Sequence, residues 1–188
     1  QLAVIHFSPT KKSVENLNKE GITKNVYLTG NTVIDSLFFA VDRIKNKKLF
    51  DFDLSKRKLI LATIHRRENW GENLDIILNT LLLIIKKHKD ITLLLPMHKN
   101  EIIRTKIKNI LGNNERIILT EPLDYDVFIN ALTECYFILT DSGGIQEEAP
   151  SFGKPVLILR ESTERKEAID CGTAILVGNN SKKILFFV

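Results

Sequence analysis

Cysteine is scarce in this sequence: two residues among 188, Cys135 and Cys171, far apart and in no metal-ligand spacing. They fit reduced thiols in a cytoplasmic protein and argue against a structural zinc. Long apolar runs are also missing. The longest, such as Leu81 to Ile85, fall far below the roughly 20 residues that a membrane span requires, so no membrane partner is expected. No stretch near residue 1 shows the charged start, apolar middle and small-residue exit of a secretory leader. A concentrated basic patch is lacking as well. The net charge is +4, but Lys11, Lys12, Lys45, Lys47, Lys48, Lys86 and Lys87 are scattered, without interleaved aromatics. That distribution argues against a nucleic-acid partner, and a modest positive field suits a small anionic substrate. There is no internal repeat and no low-complexity segment.

What is present is the composition of one globular domain with a sizeable core, 44% hydrophobic and 27% charged. Short β-branched or leucine-rich runs stand at residues 25–28, 58–64, 91–96, 116–119, 136–140, 155–159 and 174–177. Between them lie helical patterns, clearest over 73–88, where Leu74, Ile77, Leu78, Leu81 and Ile85 share one face. Further helices are predicted at 10–19, 32–45, 100–111, 124–133 and 144–151. Strand runs without polar alternation are buried on both faces, so the fold class is α/β: a Rossmann-like, doubly wound parallel sheet. Ligands of such sheets sit at the carboxyl ends of the strands. That rule selects the loops at 29–32, 65–71, 97–100, 120–126, 141–146 and 160–165, where nearly every unusual cluster falls.

After the strand at 136–140, Asp141-Ser142-Gly143-Gly144 turns the chain into a helix expected to begin near Gly144. Free N–H groups at a helix start attract phosphate, and glycine lets a ligand approach closely. Ser142 adds a hydroxyl. Glu147 and Glu148 are placed in the first helical turn, where a carboxylate suits the macrodipole and can accept hydrogen bonds from the two ribose hydroxyls. A plain turn with acids at a helix start explains the same residues. The motif is neither GxGxxG nor a Walker loop. His65-Arg66-Arg67-Glu68 gathers proton-transfer and anion-binding groups at a strand end; a capping and ion-pair cluster, with Asn69-Trp70-Gly71 as the turn, is the alternative. Arg165 either clamps a diphosphate or pairs with Glu161 or Glu164. Asn31 or Thr32 reads as a helix cap, His98 alone as a structural histidine, and Cys135 as core.

Taken together, six segments resemble the non-hydrolysing UDP-N-acetylglucosamine 2-epimerases. They are HFSPTKKSVENLNKEGI (6–22), TGNTVIDSL (29–37), HRRENWGENL (65–74), PMHKN (96–100), TDSGGIQEEAPSFGKPVLILRESTERKEAI (140–169) and CGTAILVG (171–178). They cover almost the whole chain in order. The resemblance implies the C-terminal, UDP-binding domain of a two-domain fold of the GT-B glycosyltransferase type. The implied activity is that of an isomerase, converting UDP-GlcNAc to UDP-ManNAc by eliminating UDP to 2-acetamidoglucal and adding it back, with no nicotinamide or metal cofactor. It also implies residue roles. Ser142, Gly143 and Gly144 would hold the diphosphate, Glu148 the ribose hydroxyls and Arg165 the phosphates. Phe128 would pack on uracil, with further base contacts from the loop around Leu123. His65 would assist departure and return of UDP, and Arg66 and His98 would contact a second, activating UDP-GlcNAc.

The departures from the family are expectations too. Its members are about twice this length, with the sugar-side carboxylates on an N-terminal domain that this sequence lacks. Residues 1–22 read as a remnant of that domain and its connection, and 23–188 as the UDP-binding domain. The apolar tail at 184–188 reads as truncated or frame-shifted. The chain would then need a missing N-terminal domain or complementary chain, through which family members usually form homodimers. ManNAc made this way commonly feeds surface polysaccharide biosynthesis. Two alternatives stand beside this reading: a non-catalytic UDP-sugar binding fragment of a split gene, and a GT-B glycosyltransferase, against which the dense His65–Glu68 motif argues.

Overall fold

A computed structural model of the chain describes residues 3–44 and 57–188, so Lys45, Lys47, Lys48 and the end of the helix expected at 32–45 lie outside the described residues. The chain divides into two compact units, Gln1–Arg43 and Ile44–Val188. In the first, β1 (His6–Ser8) and β2 (Val26–Leu28) pair in parallel, joined by the crossover helix α1 (Lys11–Lys19). Thr10 caps α1 by accepting from the Ser13 N–H. Asn31 accepts from the Val33 N–H at the start of α2 (Val33–Ile44), which is the capping role expected of it. The run at 25–28 and its following turn, expected to join the main sheet, therefore belong to a separate two-stranded sheet. A run so short carries no signal of which strand it will pair with.

The second unit is built on consecutive apolar residues. Leu59, Ile60, Leu61 and Ala62 of β3 (Lys58–Thr63) follow one another with no polar residue between them, and all four are buried. A strand hides successive side chains only where both of its faces are covered. Ile60 and Ala62 enter one core cluster and Leu59 and Leu61 the other, with period 2. The same division holds in β6 (Phe137–Thr140) and β7 (Val156–Ile158), with Leu139 and Leu157 on the first side and Ile138, Val156 and Ile158 on the second. The first layer is packed by α3 (Glu72–Lys87) through Leu74, Ile77, Leu78, Leu81, Ile84 and Ile85, and by α4 (Glu101–Leu111) through Ile103 and Ile107. The second is packed by α5 (Tyr125–Glu134), which brings Ala131 and Leu132.

With β4 (Ile91–Pro96), β5 (Ile117–Thr120) and β8 (Ala174–Leu176), the strand order is β5-β4-β3-β6-β7-β8, parallel throughout. The chain winds outward from β3 to β5, crosses back to β6, and winds outward the other way. This is the expected doubly wound sheet, and its topological switch point lies between β3 and β6. Their registered ends, Thr63 and Thr140, touch through their hydroxyls at 2.6 Å.

Two helices differ from expectation. α6 (Gly143–Glu148) tightens into a 3-10 turn over Ala149–Phe152, because Pro150 has no N–H to continue the α-helical ladder. Glu147 and Glu148 thus close α6 and are not in its first turn, so the macrodipole role expected of them does not apply. At the other end of the unit, the apolar run at 184–188 falls in and just after a helix, α8 (Ser181–Phe187), that is not among those expected from periodicity. Asn180 caps it by accepting from the Lys183 N–H, Lys182 and Lys183 face solvent, and Ile184 enters the core. Among the described residues, no helix is long and apolar enough to cross a membrane.

Candidate functional site

The carboxyl ends of β3 and β6 face each other at the switch point, and a single buried carboxylate joins the loops that leave them. Asp141, at the end of β6, has no exposed surface. Its Oδ1 accepts from the His65 N–H at 3.0 Å, and its Oδ2 accepts from the Arg66 N–H at 2.9 Å and the Asn69 Nδ2 at 2.8 Å. The Arg66 Nε donates to the Asp141 carbonyl at 3.1 Å. Asn69, also buried, donates a second hydrogen to the Leu159 carbonyl, which ties in the loop after β7. Inward-facing amides leave the side chains of His65 and Arg66 to be set by this clamp.

His65 keeps an exposed surface, yet desolvation by the surrounding protein pushes its imidazole below the ordinary range. The Asp141 carboxylate partly offsets this, and His98 adds to the lowering. The ring centroids of His65 and His98 lie 6.1 Å apart, and Trp70 meets His98 edge-on at 5.6 Å. His98 accepts from the Asn100 N–H through Nδ1. The structure therefore brings His98 to His65, while Arg66 reaches toward Asp141 and the glycine turn.

The glycine turn lies on the other side of the switch point. Ser142 precedes α6 and makes no side-chain cap. A Cβ built on Gly143 would come 3.3 Å from the Glu164 carboxylate and 3.8 Å from the Arg66 guanidinium; on Gly144 it would meet the Glu148 carboxylate at 3.6 Å. Glu148 is half-buried, and desolvation followed by its neighbour Glu147 raises its carboxyl above the ordinary range. Tyr125, at the start of α5, is raised first by desolvation and then by the Glu148 charge. Phe128 and Leu123 are partly buried against the second core cluster.

The loop after β7 completes the rim. Gln146, fully buried, donates to the Ser142 carbonyl at 3.0 Å and accepts from the Thr163 hydroxyl at 2.7 Å; that hydroxyl accepts in turn from the Arg165 N–H at 3.1 Å. Arg165 precedes α7 (Lys166–Asp170) and pairs with Glu147, not with the expected Glu161 or Glu164. Glu164 belongs instead to Arg160, whose guanidinium also holds Glu68, both at 3.1 Å. Glu68 thus has the ion-pair role weighed for its cluster. Asp141, Asn69, Gln146 and Thr163 escaped the sequence reading; the only hint was that each stands beside a residue it singled out. Among the described residues, no three His, Cys, Asp or Glu side chains gather so as to hold a metal ion.

The arrangement gathers the Arg66 guanidinium, the glycine turn and the Glu148 carboxylate at the strand ends, beside a histidine biased toward its neutral form. The sequence profile of the family described as UDP-N-acetylglucosamine 2-epimerase matches residues 1–186. The chain belongs to that family. It is 46% identical to the UDP-N-acetylglucosamine 2-epimerase of Campylobacter jejuni, over 98% of this chain and 51% of that protein. Among solved structures, it resembles the Neisseria meningitidis UDP-GlcNAc 2-epimerase bound to UDP-GlcNAc, with a TM-score of 0.92 at 41% identity over 98% of this chain and 52% of that one. The Staphylococcus aureus MnaA–UDP co-structure gives 0.91 at 45% identity, over 97% and 50%. The chain spans about half the length of the curated relatives it matches.

Proposed function

We propose that the chain is the UDP-binding, C-terminal half of a non-hydrolysing UDP-GlcNAc 2-epimerase, the second domain of a GT-B-type pair. The observation that carries this reading is the Ser142–Gly144 turn at the switch point, with Arg165 and Glu148 on its rim. Ser142, Gly143 and Gly144 take the diphosphate, assisted by Arg165. Glu148 takes the ribose hydroxyls, and Phe128 and Leu123 the base. Residues 1–22 go with the sugar-side domain and 23–188 with the nucleotide domain, although the compact units divide later, after Arg43. Arg66 and His98 would serve a second, activating UDP-GlcNAc. The likeness to proteins solved with UDP-GlcNAc and with UDP supports the ligand assignment.

In the reaction so assigned, the bond from carbon 1 to the UDP oxygen breaks as the proton on carbon 2 is removed, and UDP returns once a proton has been delivered to the opposite face. His65 assists the UDP oxygen as it leaves and returns. Its depressed pKa keeps the ring mostly neutral at neutral pH, able to donate one hydrogen bond and accept another. The bases acting on carbon 2 would come from the sugar-side domain, supplied in one longer chain or by a partner.

The test is calorimetric titration of the chain with UDP, alongside Arg165→Ala and Glu148→Ala. Saturable binding that weakens on the order of tenfold or more, roughly 1.4 kcal/mol, in each variant is expected. Absence of binding, or binding indifferent to both substitutions, would sink the assignment. Turnover of UDP-GlcNAc on adding a sugar-side domain would extend it to the enzyme.

A further inference from the structure

The clamp described above has chemistry of its own. A carboxylate with no exposed surface is expensive to bury unless its oxygens are filled, and Asp141 fills them almost entirely from one loop: the backbone N–H groups of His65 and Arg66 and the side chain of Asn69. Among the described residues no side-chain cation forms an ion pair with the carboxylate; the Arg66 guanidinium passes it and donates to the Asp141 carbonyl instead. The negative charge is therefore left to act on its surroundings, and the nearest titrating ring is that of His65. We propose that Asp141 is the positioning residue for His65: it fixes the backbone from which the ring projects and holds a buried negative charge beside it. The inference rests on the reading of His65 as the group that assists UDP.

The geometry gives the proposal a direction. Each amide held by Asp141 points inward, so the clamp selects one path for the His65–Asn69 loop and with it the approach of the ring to His98 at 6.1 Å. Charge acts independently of path. Asp141 favours the protonated ring, while desolvation and His98 disfavour it. Neutralising Asp141 without changing its shape therefore lets the two opposing influences prevail. In Asp141→Asn, an amide oxygen in the Oδ2 position still accepts from His65, Arg66 and Asn69, and only the second contact of the His65 N–H, to Oδ1, is lost. Asp141→Ala is the harsher variant, since it leaves the His65 and Arg66 N–H groups without their acceptor and the Asn69 amide with the Leu159 carbonyl alone.

The experiment is an NMR titration of the histidine ring protons in the parent chain and in Asp141→Asn, with His65→Gln to assign the resonance and His6 and His88 as internal controls. The midpoint of His65 is expected to fall in Asp141→Asn, because the charge that favours the protonated ring is gone. Asn69→Ser removes one donor but keeps the charge, so it is expected to move His65 less than Asp141→Asn does. A His65 midpoint that is unmoved or raised in a folded Asp141→Asn chain overturns the proposal. So does a shift in Asn69→Ser as large as that in Asp141→Asn, or, should Asp141→Asn fail to fold, a His65 resonance in Asn69→Ser identical to the parent's. UDP titrated into the same samples separates the two readings. A parent chain that does not bind UDP defeats the nucleotide assignment whatever His65 does, whereas an intact UDP site with an indifferent His65 defeats this one.

Discussion

Glu148 answers two demands that oppose each other. In the ribose-acceptor role proposed for it, it would have to be ionised, yet its half-buried place next to Glu147 favours the protonated acid. Because folding raises its pKa, the folded chain holds that proton more tightly than the unfolded one. The resulting stabilisation is complete below the ordinary carboxylate value and is lost as pH rises through the raised value. At pH 7.5 the ionised carboxylate is thus a net burden. Glu148→Gln is expected to raise the melting midpoint there by about 1–3 °C, with no gain near about pH 3.5, while UDP affinity falls on the order of tenfold. A lower melting midpoint at pH 7.5 would mean that the charge is paired within the fold. At this scale, residues that reach outward were readable: His65, Arg165 and Ser142 are chemically conspicuous at strand ends. Asp141 and Asn69 were not, because their work lies in contacts with each other across 72 positions, and no local pattern reports on that.

Among the elements, α3 was legible almost to the residue, since Leu74, Ile77, Leu78, Leu81 and Ile85 recur at helical spacing and all are buried. The composite of α6 and its 3-10 turn was legible only as a helix; Pro150 was the sign that it would tighten. Its end depends on Gly153, which sits at φ +66° and donates to the Pro150 carbonyl. There is open space where a Cβ would go, so Gly153→Ala meets no clash and only the strain of the left-handed backbone remains. It is expected to destabilise the chain by about 1–2 kcal/mol in urea denaturation, with UDP affinity unchanged within roughly twofold. A larger loss of affinity would show that the turn after the helix helps to aim Glu148.

For the molecule as a whole, the two cysteines make built-in probes. Cys135 is buried between β6 and α5, donates to the Leu132 carbonyl, and has its thiol pushed up to about 12, chiefly by desolvation. Cys171 is exposed. With a disulfide reagent at neutral pH, Cys171 should react at once and Cys135 only through global opening, so that its labelling in urea follows the unfolding curve. Comparable rates at both sites would mean that the second core layer opens by itself. The doubly wound topology was legible from unbroken apolar strands, but the partner of the run at 25–28 was not, because three residues on a short strand are equally at home in either sheet. The strand order has a bearing on synthesis. Neighbours β3, β4 and β5 can associate soon after they leave the ribosome, whereas Thr63 must wait for Thr140, 77 positions later. Closing that long loop is the slow and entropically costly act, and it alone brings the glycine turn to His65. On the proposed function, a nascent chain would gain its capacity for nucleotide only when the two halves of the sheet have joined, and UDP would then selectively hold the chains that joined them in the right order.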